Sequence, residues 1–227
     1  MKNVNYKDYV IEAPLHKEGI EWAHNYTYNA NDQESPRVLM IGDSICNGYQ
    51  WKVRELLANR VNISFFITSY CVTRERYLRM LDMILEDSRY DLVLFNSGHL
   101  ANSIPLWEKS FRSAIRFIGD KLEGVKLALV KSVPHRLERY CAENIERNGI
   151  IDVIAAEQGL SVVDLWTPME ALGKGDDVFR DNAHFVRPVE EKQGAIVSNA
   201  ICELLDIRED GKVVQVGNEL GPAGAIQ

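Results

Sequence analysis

Three polar residues near the two ends of the chain have the side-chain types that nucleophilic catalysis requires. Ser44 directly follows the apolar run 37–42, close to a predicted helix start, where free N–H groups and the helix dipole stabilise negative charge. Asp181 and His184 share one short loop as D-x-x-H. This spacing lets the carboxylate hold Nδ1 of the imidazole, which leaves Nε2 to act as a base. The pattern predicts a serine nucleophile, a histidine base and an orienting aspartate.

Each of these residues, taken singly, also fits a structural role. Asp43 and Ser44 are both preferred at helix N-caps, and a single loop histidine is commonly a partly exposed surface group. Asp43, Asp164 and Asp181 together also allow a second chemistry, a metal-dependent phosphohydrolase with Mg²⁺ ligands. The Asp–His pair on one loop favours the triad, for which no metal and no cofactor are expected.

Five apolar runs alternate with amphipathic stretches after residue 36. The predicted strands are 37–42, 62–68, 91–97, 125–132 and 160–166. The predicted helices are 51–60, 74–87, 106–122, 136–158 and 190–207. Nearly continuous apolar strands that alternate with helices are typical of parallel βαβ units covered on both faces. The sequence therefore predicts an α/β protein, a three-layer α/β/α sandwich with a five-stranded parallel sheet.

The ends of the chain differ from this alternating part. Residues 1–36 are polar and predict an N-terminal arm packed on or beside the core, residues 37–207 form the predicted domain, and the glycine-containing residues 208–227 predict a C-terminal tail.

In an open parallel sheet, ligands bind beyond the carboxyl ends of the strands. The segments that follow the predicted strands include Ser44, Thr68-Ser69-Tyr70 and Asn96-Ser97-Gly98, while Asp181 and His184 lie in the loop before the last helix. The topology is therefore expected to bring a serine, a histidine, an aspartate and hydrogen-bond donors to one edge of the sheet.

On these residues the chain resembles the SGNH (GDSL-type) hydrolase superfamily, over about residues 37–207. Its first block is present as VLMIGDS, with Ser44 at the nucleophile position, and its last block as Asp181-Asn182-Ala183-His184. The stretch VVDLW also resembles the fifth strand of the family. The resemblance implies a flavodoxin-like sandwich and a serine esterase that hydrolyses small acyl esters through an acyl-enzyme.

The middle blocks depart from the family pattern. The second block normally supplies a glycine N–H to the oxyanion hole, whereas the loop here reads Thr68-Ser69-Tyr70-Cys71. The third block is usually G-x-N-D, and alignment on Gly98 places Leu100 where the family has asparagine.

We therefore expect the oxyanion donors to be the Ser44 N–H, the N–H of Ser69 or Gly98, and the amide of Asn96. His99 and Asn102 are weaker substitutes for the missing asparagine, and a turn-forming role for Asn96 fits equally well. The departures also leave open a catalytically impaired binding module.

Composition limits the partners. The chain has 26 Lys and Arg against 33 Asp and Glu, a formal net charge of −7, which argues against a general nucleic-acid binder and against docking on an anionic membrane. The sequence contains no run of about 18 apolar residues, so no membrane span is predicted. Four scattered cysteines favour free thiols and a cytoplasmic location, although a secreted chain with its leader removed would look the same. The expected partner is a small acyl ester, with an acetylated carbohydrate as one candidate, and the oligomeric state is open.

Overall fold

The computed structural model describes residues 4–98 and 103–207. The strands are β1 (Ala23–Thr27), β2 (Arg37–Gly42), β3 (Asn62–Thr68), β4 (Leu92–Phe95), β5 (Lys126–Val130) and β6 (Ser161–Val163). The helices are α1 (Ser44–Leu56), α2 (Glu75–Asp87), α3 (Ile104–Lys121), α4 (Glu138–Gln158), α5 (Trp166–Glu170) and α6 (Arg187–Leu204), and a 3₁₀ turn spans Tyr6–Tyr9. The C-terminal residues 208–227 of the predicted tail lie outside the described residues.

The six strands form one sheet in the order β1-β3-β2-β4-β5-β6. The strands from β2 to β6 are all parallel to one another. From the central strand β2 the chain continues to β3 on one side of the sheet. It then crosses to β4 on the other side of β2. This reversal opens a crevice at the carboxyl ends of β2 and β4, where ligands bind in folds of this kind.

β1 is a sixth strand that the sequence does not predict. It pairs antiparallel with β3, with Ala23 opposite Thr68 and Thr27 opposite Ser64. Four of its five residues are exposed, so AHNYT lacks the apolar pattern by which a buried strand is recognised. The predicted sandwich with its parallel sheet is confirmed, and an antiparallel edge strand from the N-terminal region is added to it.

Helices cover both faces of the sheet, and each face has its own apolar core. Side chains of α1 and α6 pack on one face; they include Tyr49, Val53, Val197 and Ile201. Side chains of α2, α3 and α4 pack on the other face; they include Leu81, Phe111, Ile118 and Ile151. These two layers hold the sheet rigid, so the loops at its carboxyl edge project from a fixed frame.

Two element boundaries differ from the sequence prediction for local reasons. α1 begins at Ser44 rather than at residue 51. The sequence pattern does not reveal its first turns because they contain Asn47 and Gly48, which are weak helix formers. The predicted strand 160–166 ends early, since the Asp164 carboxylate accepts hydrogen bonds from the N–H of Trp166 and Thr167. This carboxylate turns the chain into α5.

None of the helices in the described part of the chain combines the length and the apolarity that crossing a membrane requires.

Candidate active site

Ser44 is the first residue of α1, directly after a tight turn from β2. Asp43 is the N-cap, and its Oδ1 accepts a hydrogen bond from the Ile45 N–H at 2.9 Å. A Cβ at Gly42 would lie 2.6 Å from Cβ of Cys46, so only glycine allows the helix to start this close to the strand. The capping role therefore falls to Asp43, and the Ser44 hydroxyl is left for other chemistry beside the free N–H groups of the helix start.

The segment after β4 is packed against this turn. A Cβ at Gly98 would lie 1.9 Å from Oδ2 of Asp43, so a side chain at this position would displace the capping carboxylate. The indole Nε1–H of Trp107, a fully buried residue, donates to the carbonyl of Ser97 at 2.8 Å. Gly98 and Trp107 thus hold the residues that follow β4 beside the start of α1.

Asn96 is buried at the end of β4. Its Nδ2 donates to the carbonyl of Val130 at 2.6 Å. A side-chain amide carries two N–H donors, so one donor remains for a ligand. Asn96 therefore joins β4 to β5 and still has hydrogen-bonding capacity to spare.

Asp181 and His184 contact each other directly. Oδ2 of Asp181 lies 2.8 Å from Nδ1 of His184, and Oδ1 accepts from the N–H of Ala183 and of His184 at 2.8 and 2.7 Å. Partial burial would raise the pKa of Asp181, but these hydrogen bonds and the imidazole outweigh it and lower the pKa to about 2. An ionised carboxylate only accepts hydrogen bonds, so Nδ1 carries the proton and Nε2 of a neutral ring is an acceptor.

These segments meet around one cavity. Its lining includes Ser44, Asn96, Gly98 and Ala183, together with the last residue of β5 and residues 131–135 that follow it. Ala183 belongs to the turn that carries Asp181 and His184, so this turn contributes one residue to the lining of the cavity that contains Ser44, whereas Asp181 and His184 are not among the lining residues. The cavity stands at the topological switch of the sheet, where the fold predicts a ligand site.

Two asparagines of α4, which the sequence analysis did not select, hold the segment after β5. The Asn148 side chain accepts from the Ser132 N–H at 2.8 Å and donates to the Ser132 carbonyl at 2.9 Å. Asn144 donates to the Val133 carbonyl at 3.0 Å. The two asparagines stand at positions i and i+4 of the helix, which places both on one helix face. In the sequence, the N-x-x-x-N spacing within a predicted helix is the signal that could have identified these two residues.

Ser69 does not reach this cavity. Its N–H, predicted as an oxyanion donor, donates to the carbonyl of Trp22 at 3.0 Å, and its Oγ accepts from the Trp22 N–H at 2.8 Å. Ser69 is buried, and the cavity lining does not include it. The N-terminal region thus occupies the donor that the sequence analysis assigned to the oxyanion hole, and this assignment is corrected.

The remaining candidates are placed as follows. His99, Leu100 and Asn102 lie outside the described residues. Asp43 caps α1, Asp164 accepts from the N–H of Trp166 and Thr167 at the start of α5, and no cluster of three metal-ligating side chains occurs among residues 4–98 and 103–207.

No family model and no curated protein matches the sequence. Solved structures do match it. A lipolytic protein of the G-D-S-L family from Veillonella parvula is 16% identical with a TM-score of 0.61, over 76% of this chain and 99% of that chain. A lipase/acylhydrolase from Enterococcus faecalis is 18% identical with a TM-score of 0.59, over 73% and 95%. An acetylxylan esterase from Geobacillus stearothermophilus is 15% identical with a TM-score of 0.59, over 74% and 93%.

These matches extend over nearly the whole length of the solved chains. At such low identity they define the fold, and the resemblance predicted from GDS and D-x-x-H is confirmed at that level. The chain has the fold of the SGNH (GDSL-type) hydrolases.

Proposed function

We propose that the chain is a serine esterase that acts on small acyl esters, with Ser44, His184 and Asp181 as its triad. The observation that carries the proposal is the contact of 2.8 Å between Asp181 and His184 on a turn whose Ala183 lines the same cavity as Ser44. The G-D-S-L, acylhydrolase and acetylxylan esterase structures of the same fold support this class of reaction.

In the proposed mechanism, Nε2 of His184 takes the Ser44 proton while Oγ forms a bond to the acyl carbonyl carbon. The tetrahedral intermediate collapses, the bond to the alcohol oxygen breaks, and the imidazolium gives its proton to that oxygen. Water then attacks the acyl carbon while the same histidine takes its proton, the bond between that carbon and Oγ of Ser44 breaks, and the imidazolium returns the proton to Oγ as the carboxylic acid leaves. Asp181 keeps the proton on Nδ1 and stabilises the imidazolium, and it stays ionised because its pKa is about 2.

The proposed oxyanion donors are the N–H groups of Ser44 and Gly98 and the free amide hydrogen of Asn96. Ser69 is left out because its N–H is bonded to Trp22. Preorganised donors of this kind stabilise the charge that develops on the carbonyl oxygen in the transition state.

The Asn96→Ala variant tests the amide donor. We expect kcat to fall roughly a hundredfold with little change in KM, since one oxyanion donor contributes about 3 kcal/mol to barrier lowering. Asn144→Ala is the control, because its side chain also donates to a carbonyl, that of Val133, yet is not proposed to touch the oxyanion. If both variants lose equal activity in parallel with their melting temperatures, Asn96 is only structural.

Covalent labelling tests the proposed class of protein. A fluorophosphonate is expected to modify Ser44 of the native protein, since only a serine activated by a base attacks phosphorus at a useful rate. Peptide mapping by mass spectrometry locates the adduct. An unlabelled, folded protein would favour the catalytically impaired binding module, and loss of activity with EDTA would favour the phosphohydrolase.

The walls of the cavity predict a preference for short acyl groups. Cys46, Tyr49, Val133 and Leu165 line it and all belong to the buried core, which is too densely packed to make room for a long chain. With p-nitrophenyl esters, kcat/KM is expected to fall at least about tenfold from acetate to octanoate, since the leaving group is constant and only the acyl fit changes. A rate that rises with chain length would contradict this.

A further inference from the structure

Glu190 is a buried carboxylate that the proposed triad does not use. It lies in the first turn of α6, and its side chain is only 8% exposed. Burial raises the pKa of Glu190, whereas the nearby Arg180, Arg187 and His184 lower it. Burying a charge is costly unless a partner compensates it. Its partner is Arg180, whose Nη1 lies 3.2 Å from Oε1.

Arg180 is part of the turn that holds the imidazole. It directly precedes Asp181, and its N–H donates to the carbonyl of His184 at 3.0 Å. The Val186 N–H donates to the carbonyl of Val178 at 3.0 Å, so the loop is folded back on itself. A displacement of Arg180 is therefore passed to the Asp181–His184 pair.

The same carboxylate oxygen of Glu190 also lies against α1. A Cβ at Gly48 would be 2.9 Å from Oε1 of Glu190, closer than Cβ contacts in folded proteins. Gly48 follows Ser44 by four residues, so the two lie on the same face of the helix, one turn apart. The carboxylate thus connects the helix that begins with the nucleophile to the turn that carries the base.

We propose that Glu190 is a positioning residue that, through Arg180, holds the Asp181–His184 turn at a fixed distance from Ser44. This inference rests on the proposed esterase. A displacement of about 1 Å in a catalytic group can cost on the order of a hundredfold in rate, so a contact that joins the two halves of the triad affects kcat even though it touches no substrate.

Two glycine substitutions test the contact without removing a charge. In Gly48→Ala, the new methyl group pushes the flexible carboxylate away, and the helix itself gains from the better helix former. In the control Gly149→Ala, inside α4, nothing lies within 4 Å of the added Cβ. We expect Gly48→Ala to lower kcat for p-nitrophenyl acetate at least fivefold, with KM within twofold and no fall in melting temperature. Gly149→Ala is expected to keep the native kcat.

A double-mutant cycle tests the route through Arg180. Glu190→Gln and Arg180→Gln are each expected to lower kcat about tenfold, and the double variant no further than the more damaging single change, since residues acting through one contact are not additive. The control is Glu191→Gln, an exposed neighbour on the same helix, for which native kcat is expected. Additive losses, or a native kcat in Gly48→Ala, would overturn the proposal.

Hydrogen exchange separates this proposal from the esterase assignment. If a fluorophosphonate does not label the native protein, the esterase assignment is wrong. The positioning contact is then tested only by the hydrogen-exchange rate of the Arg180 backbone amide. Faster exchange of that amide in Gly48→Ala than in Gly149→Ala supports the contact. Equal exchange in the two variants overturns it.

Discussion

Ser44→Ala is expected to abolish hydrolysis of p-nitrophenyl acetate, with kcat at least about 10⁴-fold lower, because the bond to the acyl carbon can no longer form. The fold is expected to survive. Asp43, not Ser44, supplies the side-chain cap of α1, and alanine is the best helix former. Initial rates and the melting temperature of the purified variant measure the two effects separately.

The matched control is Ser132→Ala. Ser132 lines the same cavity as Ser44, and its Oγ is buried without a hydrogen-bond partner among the described residues. Truncating it removes a hydroxyl of equal size at no cost in hydrogen bonds, so rates and labelling are expected to stay near those of the native protein. Retained activity in Ser44→Ala, or loss of labelling in Ser132→Ala, would show that the nucleophile is misassigned.

The parts of the fold that follow from local patterns could be predicted from the sequence. Buried strands such as β2 and β3 are continuous apolar runs, and the helical period of α2 places its apolar residues on one face. β1 gives no such signal, because an edge strand with one partner is stabilised by pairing with β3 and not by burying its own side chains. Its position depends on a non-local pairing that no short window of sequence contains.

The residues of the candidate site likewise fall into those that local sequence predicts and those that depend on distant contacts. Asp181 and His184 are three residues apart, so one turn determines their contact. Ser69 depends on Trp22, 47 residues earlier in the chain, and this partner takes the N–H that local sequence would assign to an oxyanion. Glu190 and Gly48 are likewise distant in sequence. Candidate catalytic residues could thus be selected by type and spacing, whereas the residues proposed to position them depend on tertiary packing.

Asp181→Asn is expected to lower kcat by about 10³- to 10⁴-fold while leaving the turn intact. The asparagine oxygen can still accept from the N–H of Ala183 and His184, as Oδ1 does now. Its NH₂ group, however, cannot accept a proton donated by Nδ1, so the imidazole is driven to the tautomer that carries hydrogen on Nε2. That ring cannot take the Ser44 proton.

The pH dependence tests this tautomer effect. Because the pKa of Asp181 is about 2, the native carboxylate stays ionised at every pH above about 4, and its protonation contributes nothing to the acid decline of activity. Raising the pH is therefore not expected to rescue Asp181→Asn, since the faulty tautomer persists in the neutral ring. Asp177→Asn, an exposed carboxylate in the preceding loop, is the control and should keep native rates. Recovery of native rates by Asp181→Asn at alkaline pH would contradict the tautomer assignment.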